Sequence, residues 1–243
     1  MESSHRDEIA ASFNLFIRKE RMTVVQGDGS ANAILLAKNK RMFEVTPRYL
    51  AHLTRSIGAR TNIEEKDILD LAVVDMEWAL VENYRAHYGD ILDFGDMPCP
   101  NRDCRKAADH SLDLGKLEVI QLPVELRDSE DPTITETLPK SGFSATVGML
   151  NGHRERLLLS QQASGKIDPN QADFQALREL NGSKDFYYED VVALPLLDHK
   201  VIRQMRRRLI CGYNTVADFE CAYCGHTWSL NFLTQRDFLL PAG

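Results

Sequence analysis

The sequence has no long hydrophobic run and no excess of positive charge. A bilayer span needs roughly 18 or more consecutive apolar residues, and the longest runs, such as residues 157–159, are far shorter. The 243 residues carry 29 Lys and Arg against 36 Asp and Glu, a net charge of −7. A negative surface does not attract nucleic-acid phosphates in general. We therefore expect no membrane span, and we do not expect nucleic acid among the partners.

The signature motifs of common enzyme classes are also missing. The sequence contains no G-x-S-x-G, G-x-x-x-x-G-K-[ST], H-E-x-x-H or G-x-G-x-x-G motif. Its seven histidines show no metal-binding spacing among themselves. Residues 1–8 carry acids where a signal peptide needs a basic and then an apolar stretch. We predict a protein that is not an enzyme, has no small-molecule substrate and stays in the compartment where it is made.

The composition, 43% hydrophobic and 27% charged, is that of a globular protein. Helical periodicity and β-type alternation predict an α+β fold, with a helical N-terminal part, a β-rich centre, and a C-terminal helix that leads into a zinc-ribbon-like knuckle. We divide the chain into an N-terminal region of uncertain fold, residues 1–60, and an α+β body, residues 61–243.

Several segments have the spacing of helices. Residues 9–18 are helix-like, and the clearest helix is predicted over residues 61–88, with Thr61 and Glu64 as a capping box and Gly89 at its end. A second strong helix is predicted over residues 199–211, with Asp198 as its N-cap.

The five cysteines are the most informative residues. Cys99 and Cys104 form one pair, Cys221 and Cys224 form a second, and Cys211 stands alone. In a chain that is not exported, cysteines are read first as thiols rather than disulfides. The C-x-x-C spacing of the second pair directs both thiolates into one tetrahedral site, and the following glycine allows a tight turn. The four-residue spacing of the first pair is also compatible with two metal ligands.

We predict one Zn²⁺ shared by Cys99, Cys104, Cys221 and Cys224. Four thiolates close the ion to substrate, so its role would be structural. A redox C-x-x-C is one alternative, although that motif needs a helix N-terminus and strand-like sequence follows here. Two unmetallated cysteine pairs are another alternative. His226 could replace a cysteine ligand or lie beside the site, and Cys211 is read as a buried apolar residue.

The order of several motifs resembles a known family. A helix ends in Tyr88-Gly89-Asp90, and then follow the first knuckle, Ser111-Leu112-Asp113-Leu114, an LP-x-SG-x-x-x-x-V segment at residues 138–147, and F-x-C-x-x-C-G at residues 219–225. This order resembles the baseplate hub assembly proteins of T-even-type bacteriophages and their relatives in contractile injection systems, over residues 67–240. The family's usual first pair is spaced by two residues, and this one departs from that pattern.

The resemblance implies a non-enzymatic protein of the phage tail baseplate, either a built-in component or an assembly factor. Its partners would be other phage tail and baseplate proteins. Its location would be the virion tail baseplate, or the host cytoplasm during assembly.

The alternative is a zinc-ribbon protein that binds nucleic acid or has a regulatory role. Four arginines crowd the second predicted helix, and two aromatic residues of the second knuckle could stack on bases: Arg203, Arg206, Arg207, Arg208, Tyr223 and Trp228. These arginines could equally form a solvated face or pair with the excess acids. The net negative charge favours that simpler interpretation.

Overall fold

The computed structural model describes residues 8–36, 41–165, 168–234 and 238. The strands are β1 (Ile9–Asn14), β2 (Arg21–Val25), β3 (Thr54–Ile57), β4 (Arg60–Thr61), β5 (Ile91–Pro98), β6 (Ala107–Asp113), β7 (Val119–Ile120), β8 (Thr133–Thr137), β9 (Ser144–Gly148), β10 (Leu177–Leu180), β11 (Gly212–Tyr213), β12 (Val216–Glu220) and β13 (Thr227–Asn231). The helices are α1 (Gly29–Leu35), α2 (Met42–Leu53), α3 (Glu65–Leu69), α4 (Val73–Tyr88), α5 (Gly152–Ala163), α6 (Pro169–Ala176), α7 (Tyr188–Val192) and α8 (Leu196–Arg208). This confirms the predicted α+β class.

The strands form small antiparallel sheets rather than one large one. Four strands pair in the order β1-β2-β3-β4, and three pair in the order β10-β9-β8. Two-stranded sheets are formed by β5 with β6, by β12 with β13, and by β11 with β7. No helix in the described ranges is both long and apolar enough to cross a bilayer.

The N-terminal part is not purely helical. The predicted helix over residues 9–18 is wrong, because β1 pairs with β2 in the register Phe13↔Met22 and Asn14↔Arg21. The main-chain hydrogen bonds of strand pairing therefore override a helix-like spacing of apolar residues. The C-terminal end of the resemblance, residues 239 and 240, lies outside the described residues.

The predicted helix over residues 61–88 is broken in two. Thr61 belongs to β4 and caps nothing, and α3 instead begins where the Glu64 main-chain N–H donates to Asp67 (2.9 Å). Between α3 and α4, Ala72 forms a β-bridge with Asn151. The chain therefore leaves the helical conformation before α4. Gly89 ends α4 as predicted, with a φ of +88°.

Asp198 does not cap its helix. Helix α8 begins earlier, after Pro195, and ends at Arg208. The fully buried Asp198 carboxylate accepts main-chain N–H groups of Lys140 and Ser141, each at 2.9 Å, in the turn between β8 and β9. The N-cap prediction is therefore wrong, since this side chain binds a distant turn across the core.

Two hydrophobic clusters form the core. The first cluster lies between the β1–β4 sheet, α2, α4 and the two knuckle hairpins. It includes Met22 of β2, Leu50 of α2, and the hairpin residues Phe94 and Phe219. The second packs the β8–β9–β10 sheet against α8. The first cluster draws residues from both sides of residue 60; the division of the chain at that point remains a prediction.

Two carboxyl groups share an apolar cavity of about 230 Å³ between α2, α4 and α5. Burial, and then the charge of Glu155, raise the pKa of Glu77 from its ordinary value near 4.5 to about 7. Burial raises the pKa of Glu155 to about 7 as well. Arg156 also lines this cavity, but its guanidinium binds Glu65.

We therefore expect these two groups to destabilise the fold as pH rises. The folded state favours the protonated form of both carboxyl groups. Their stabilising contribution to the free energy of unfolding is therefore complete below about pH 4.5, and it is lost as pH rises through 7. The neutral variant Glu77→Gln should match the wild type near pH 4 and exceed its free energy of unfolding by about 3 kcal/mol at pH 8. Denaturant titration at both pH values measures this. Parallel pH profiles for the two proteins would contradict it.

Candidate metal centre

Four cysteine sulfurs meet at the tips of two hairpins. The Sγ atoms of Cys99 and Cys224 are 3.8 Å apart, as are those of Cys104 and Cys221, and all four lie within 4.8 Å of one another. Ligands at about 2.3 Å from a tetrahedral zinc lie about 3.8 Å apart, whereas a disulfide needs about 2.05 Å. The thiols are free, and the four sulfurs lie close enough to hold a metal ion.

The second knuckle is the tight turn expected of a C-x-x-C-G sequence. The Cys221 N–H donates to the His226 carbonyl (2.9 Å), and the Gly225 N–H donates to the Cys221 carbonyl (2.9 Å). Gly225 has a φ of +68°, which a residue without Cβ adopts readily. The turn therefore aligns both thiols on one side, between β12 and β13.

The first knuckle has the same turn with two added residues. The Arg105 N–H donates to the Asn101 carbonyl (3.1 Å), just as Gly225 donates to Cys221. Asn101 thus occupies the position that a C-x-x-C motif gives to its first cysteine. Cys99, two residues earlier, supplies the sulfur instead, and its N–H donates to the Lys106 carbonyl (3.0 Å). This explains how a four-residue spacing reaches the same four-sulfur arrangement.

Two residues that the sequence did not single out support this turn. Arg105 adopts the left-handed conformation, φ +50°, which is costly for a residue with a Cβ. The Asn101 side-chain oxygen accepts the Asp103 N–H (3.0 Å), and its amide nitrogen lies 3.9 Å from the Cys224 sulfur. Asparagine in a turn is a signal for Asn101, but nothing local indicates that Arg105 has a positive φ.

Aromatic side chains pack the two hairpins together beneath the sulfurs. The Phe219 ring makes an edge contact with Phe94 (centroids 5.3 Å apart) and another with His110 (5.4 Å), and His110 also meets the Trp228 ring at 5.3 Å. Phe94 and Phe219 are buried. Contact between β5–β6 and β12–β13 therefore does not depend on the sulfurs alone.

The electrostatics of the thiols differ within the cluster. The main-chain N–H of Tyr223 is the largest cause that lowers the pKa of Cys221 to about 7, whereas burial raises the pKa of Cys99 to about 12. A bound cation favours thiolate over thiol, so metal binding to these groups releases protons. On the surface above the sulfurs, the Lys106 ammonium lies 4.8 Å from the Tyr223 ring centroid.

The remaining sequence candidates lie outside the cluster. All four sulfurs face one another, and the ring of His226 stacks on Trp228 with centroids 6.3 Å apart. Cys211 is buried in the second core cluster, as expected for a small apolar residue. Burial raises its pKa to about 12, and no second group of ligands for a metal ion occurs in the described ranges.

Three of the four arginines of α8 make ion pairs with acids. Arg203 and Arg206 bind the buried Asp173 carboxylate at 3.1 and 2.8 Å, and Arg208 binds Glu136 at 2.5 Å. Their charges are thus partly compensated inside the fold, in line with the simpler of the two interpretations of this cluster.

Comparison with known proteins gives no relative for this chain. No protein-family model, curated protein or solved structure shows a significant match to it. The geometry of the four cysteines therefore carries the functional argument.

Proposed function

We propose that the four cysteines bind one Zn²⁺ and that this ion has a structural role. The observation that carries the proposal is the four-sulfur cluster, in which two pairs of sulfurs are 3.8 Å apart. That spacing fits tetrahedral zinc, and thiolates are the ligands typical of closed structural zinc sites. A fully thiolate-bound ion has no open position for a substrate.

The same cluster supports a scaffolding role. The two hairpins belong to separate sheets, and Cys104 and Cys221 are 117 positions apart in the sequence. An ion between them fixes the centre of the chain to its C-terminal part and presents both hairpins as one rigid unit. A rigid surface of this kind suits a protein whose work is to contact other proteins.

On this basis we propose a non-enzymatic structural or assembly protein of a contractile-tail baseplate. The motif order described above is what connects this chain with baseplate hub assembly proteins. Within that motif order, Leu138 and Val147 are buried, and the Asp198 carboxylate accepts two main-chain N–H groups of the turn between them. The partners would be other tail and baseplate proteins.

Deletion of the gene in the genome that encodes this chain tests the proposal. We expect tail particles without complete baseplates under the electron microscope, restored by the wild-type gene but not by a Cys221→Ser allele. A Cys211→Ser allele is the matched control and should restore assembly, since Cys211 lies outside the cluster. Normal baseplates in the deletion strain would refute the proposed role.

A nucleic-acid-binding zinc ribbon is the competing function, and salt distinguishes it. Binding driven by phosphate contacts weakens steeply as salt rises. We expect the purified protein to show no such salt-dependent binding to DNA or RNA, because acids pair with Arg203, Arg206 and Arg208. Tight binding at low salt that falls steeply with salt would favour the competing function.

A further inference from the structure

Three arginines line one polar cavity of about 340 Å³ that none of the cysteines lines. Arg18 follows β1, Arg154 lies in the first turn of α5, and Arg178 lies on β10. All three are partly buried. Because these residues come from distant parts of the sequence, the cavity exists only in the folded protein.

Main-chain carbonyls hold the guanidinium groups in place. Arg18 donates to the Asp70 carbonyl at 2.9 Å, Arg154 donates to the Leu177 carbonyl at 3.1 Å and to the Gln175 carbonyl, and Arg178 donates to the Met149 carbonyl. Each of these bonds uses a single guanidinium nitrogen, and a guanidinium has five N–H donors. The groups are therefore fixed while several donors remain for a ligand.

Arg18 forms an ion pair with Glu20 (3.8 Å), whereas Arg154 and Arg178 have no such partner within the described part of the chain. Among the described residues, no carboxylate oxygen forms an ion pair with either of them, in contrast to the paired arginines of α8. Burial, and then the charge of Arg178, lower the pKa of Arg154. A guanidinium group suits the recognition of phosphate and carboxylate oxygens, so two of them without a paired acid can accept an anionic ligand.

A glycine makes room for one of the arginines. A Cβ on Gly148 would lie 2.7 Å from the Arg178 Nε and 3.0 Å from its Cγ. The Arg178 side chain therefore lies directly across the β9 backbone. Any residue larger than glycine at position 148 would displace it.

Acidic residues also line the cavity. Asp70 is paired with His153 at 3.2 Å, while Glu130 and Asp131 are exposed. The charge of Asp131 partly offsets the lowering of the Arg154 pKa that burial and Arg178 cause. These acids repel an anion and so lower the affinity of the cavity for it. A ligand must therefore gain more than one hydrogen bond from the arginines, which requires more than one oxygen.

We propose that this cavity binds a phosphate group, either as free phosphate or as the phosphate of a small ester, through Arg18, Arg154 and Arg178. A tetrahedral oxyanion presents oxygens to donors that approach from several directions, whereas a carboxylate presents two in one plane. The volume, about 340 Å³, lies at the lower end of the range for small-molecule pockets. The site is independent of the metal centre and of the proposed baseplate role.

Calorimetric titration of the metal-loaded protein with inorganic phosphate, at constant ionic strength, tests this site. We expect saturable binding with a dissociation constant on the order of 1 mM, and about tenfold weaker binding in Arg178→Gln. Gly148→Ala should also weaken it, since it displaces Arg178 but keeps its charge. The matched control is Arg127→Gln, because Arg127 also donates to a main-chain carbonyl (Leu122, 2.8 Å) but does not line the cavity.

Two further ligands identify the source of the phosphate and its chemical class. Tighter binding of glycerol 3-phosphate than of inorganic phosphate identifies a small phosphate ester as the ligand, and the reverse identifies the free ion; both support the site. Equal affinity for acetate, no saturable binding by the folded wild type, or unchanged affinity in Arg178→Gln would each overturn it.

Discussion

Cys221→Ser should release the metal ion and lower the free energy of unfolding by about 4 kcal/mol. A ligand that binds only the folded state at a thousand times its dissociation constant stabilises that state by about 4.1 kcal/mol, and structural zinc sites bind at least this tightly. Cys221 is the buried member of its pair, and its sulfur lies 3.8 Å from that of Cys104. For a chain of this size, the loss corresponds to a fall in melting temperature of about 8–16 °C.

Metal analysis and thermal unfolding measure the two effects separately. Wild-type protein purified without chelator should contain one zinc per chain, and Cys221→Ser little or none. Cys211→Ser removes a thiol that is also buried but lies outside the cluster, so it should keep the full zinc content. If Cys221→Ser does not fold, removal of zinc from the wild type by a chelator, followed by its return, gives the same test. Wild-type protein without zinc would refute the metal assignment.

Gly212→Ala should destabilise the protein by about 3 kcal/mol. Gly212 has a φ of +94°, and a Cβ there would lie 2.3 Å from the Cγ2 of Val74 on α4. The positive φ costs an L-residue about 1–2 kcal/mol, and overpacking adds about 1–3 kcal/mol. Gly212 pairs with Ile120 in the β7–β11 sheet, so it cannot move away without breaking that pairing.

Gly89→Ala is the matched control, since Gly89 has a similar φ of +88° but no atom within 4 Å of the added Cβ. Its cost should be limited to the backbone strain, about 1–2 kcal/mol. In a Val74→Ala background, which lacks the Cγ atoms, Gly212→Ala should cost little more than Gly89→Ala. The next nearest atom to the added Cβ, the Val74 Cβ, is 3.7 Å away. Equal losses in Gly212→Ala and Gly89→Ala by denaturant titration would show that the contact with Val74 is unimportant.

The cysteine cluster could be predicted because its signal is local. Spacing within each pair constrains where two thiols can point, and free thiols in two such pairs favour a shared ion. The details of the first knuckle could not be predicted in the same way. Arg105 adopts a φ of +50°, and an arginine in sequence carries no sign of that conformation.

The errors in the predicted elements come from long-range contacts. The break before α4 depends on a β-bridge between Ala72 and Asn151, and the role of Asp198 depends on a turn 57 and 58 residues away. Periodicity and capping rules describe neighbours along the chain only. The arginine cavity was missed for the same reason, since Arg18, Arg154 and Arg178 meet only after folding.

The two cysteine pairs are far apart along the sequence, so the ribosome synthesises one pair well before the other. Cys99 lies 125 residues before Cys224, and their sulfurs are 3.8 Å apart. At ribosomal rates of about 5–20 residues per second, Cys221 and Cys224 are synthesised roughly 6–25 s after Cys99 and Cys104. During that interval the nascent chain carries two thiols that can react with oxidants or bind other metal ions. We therefore expect translation speed and the redox state of the cell to influence how much of this protein matures correctly.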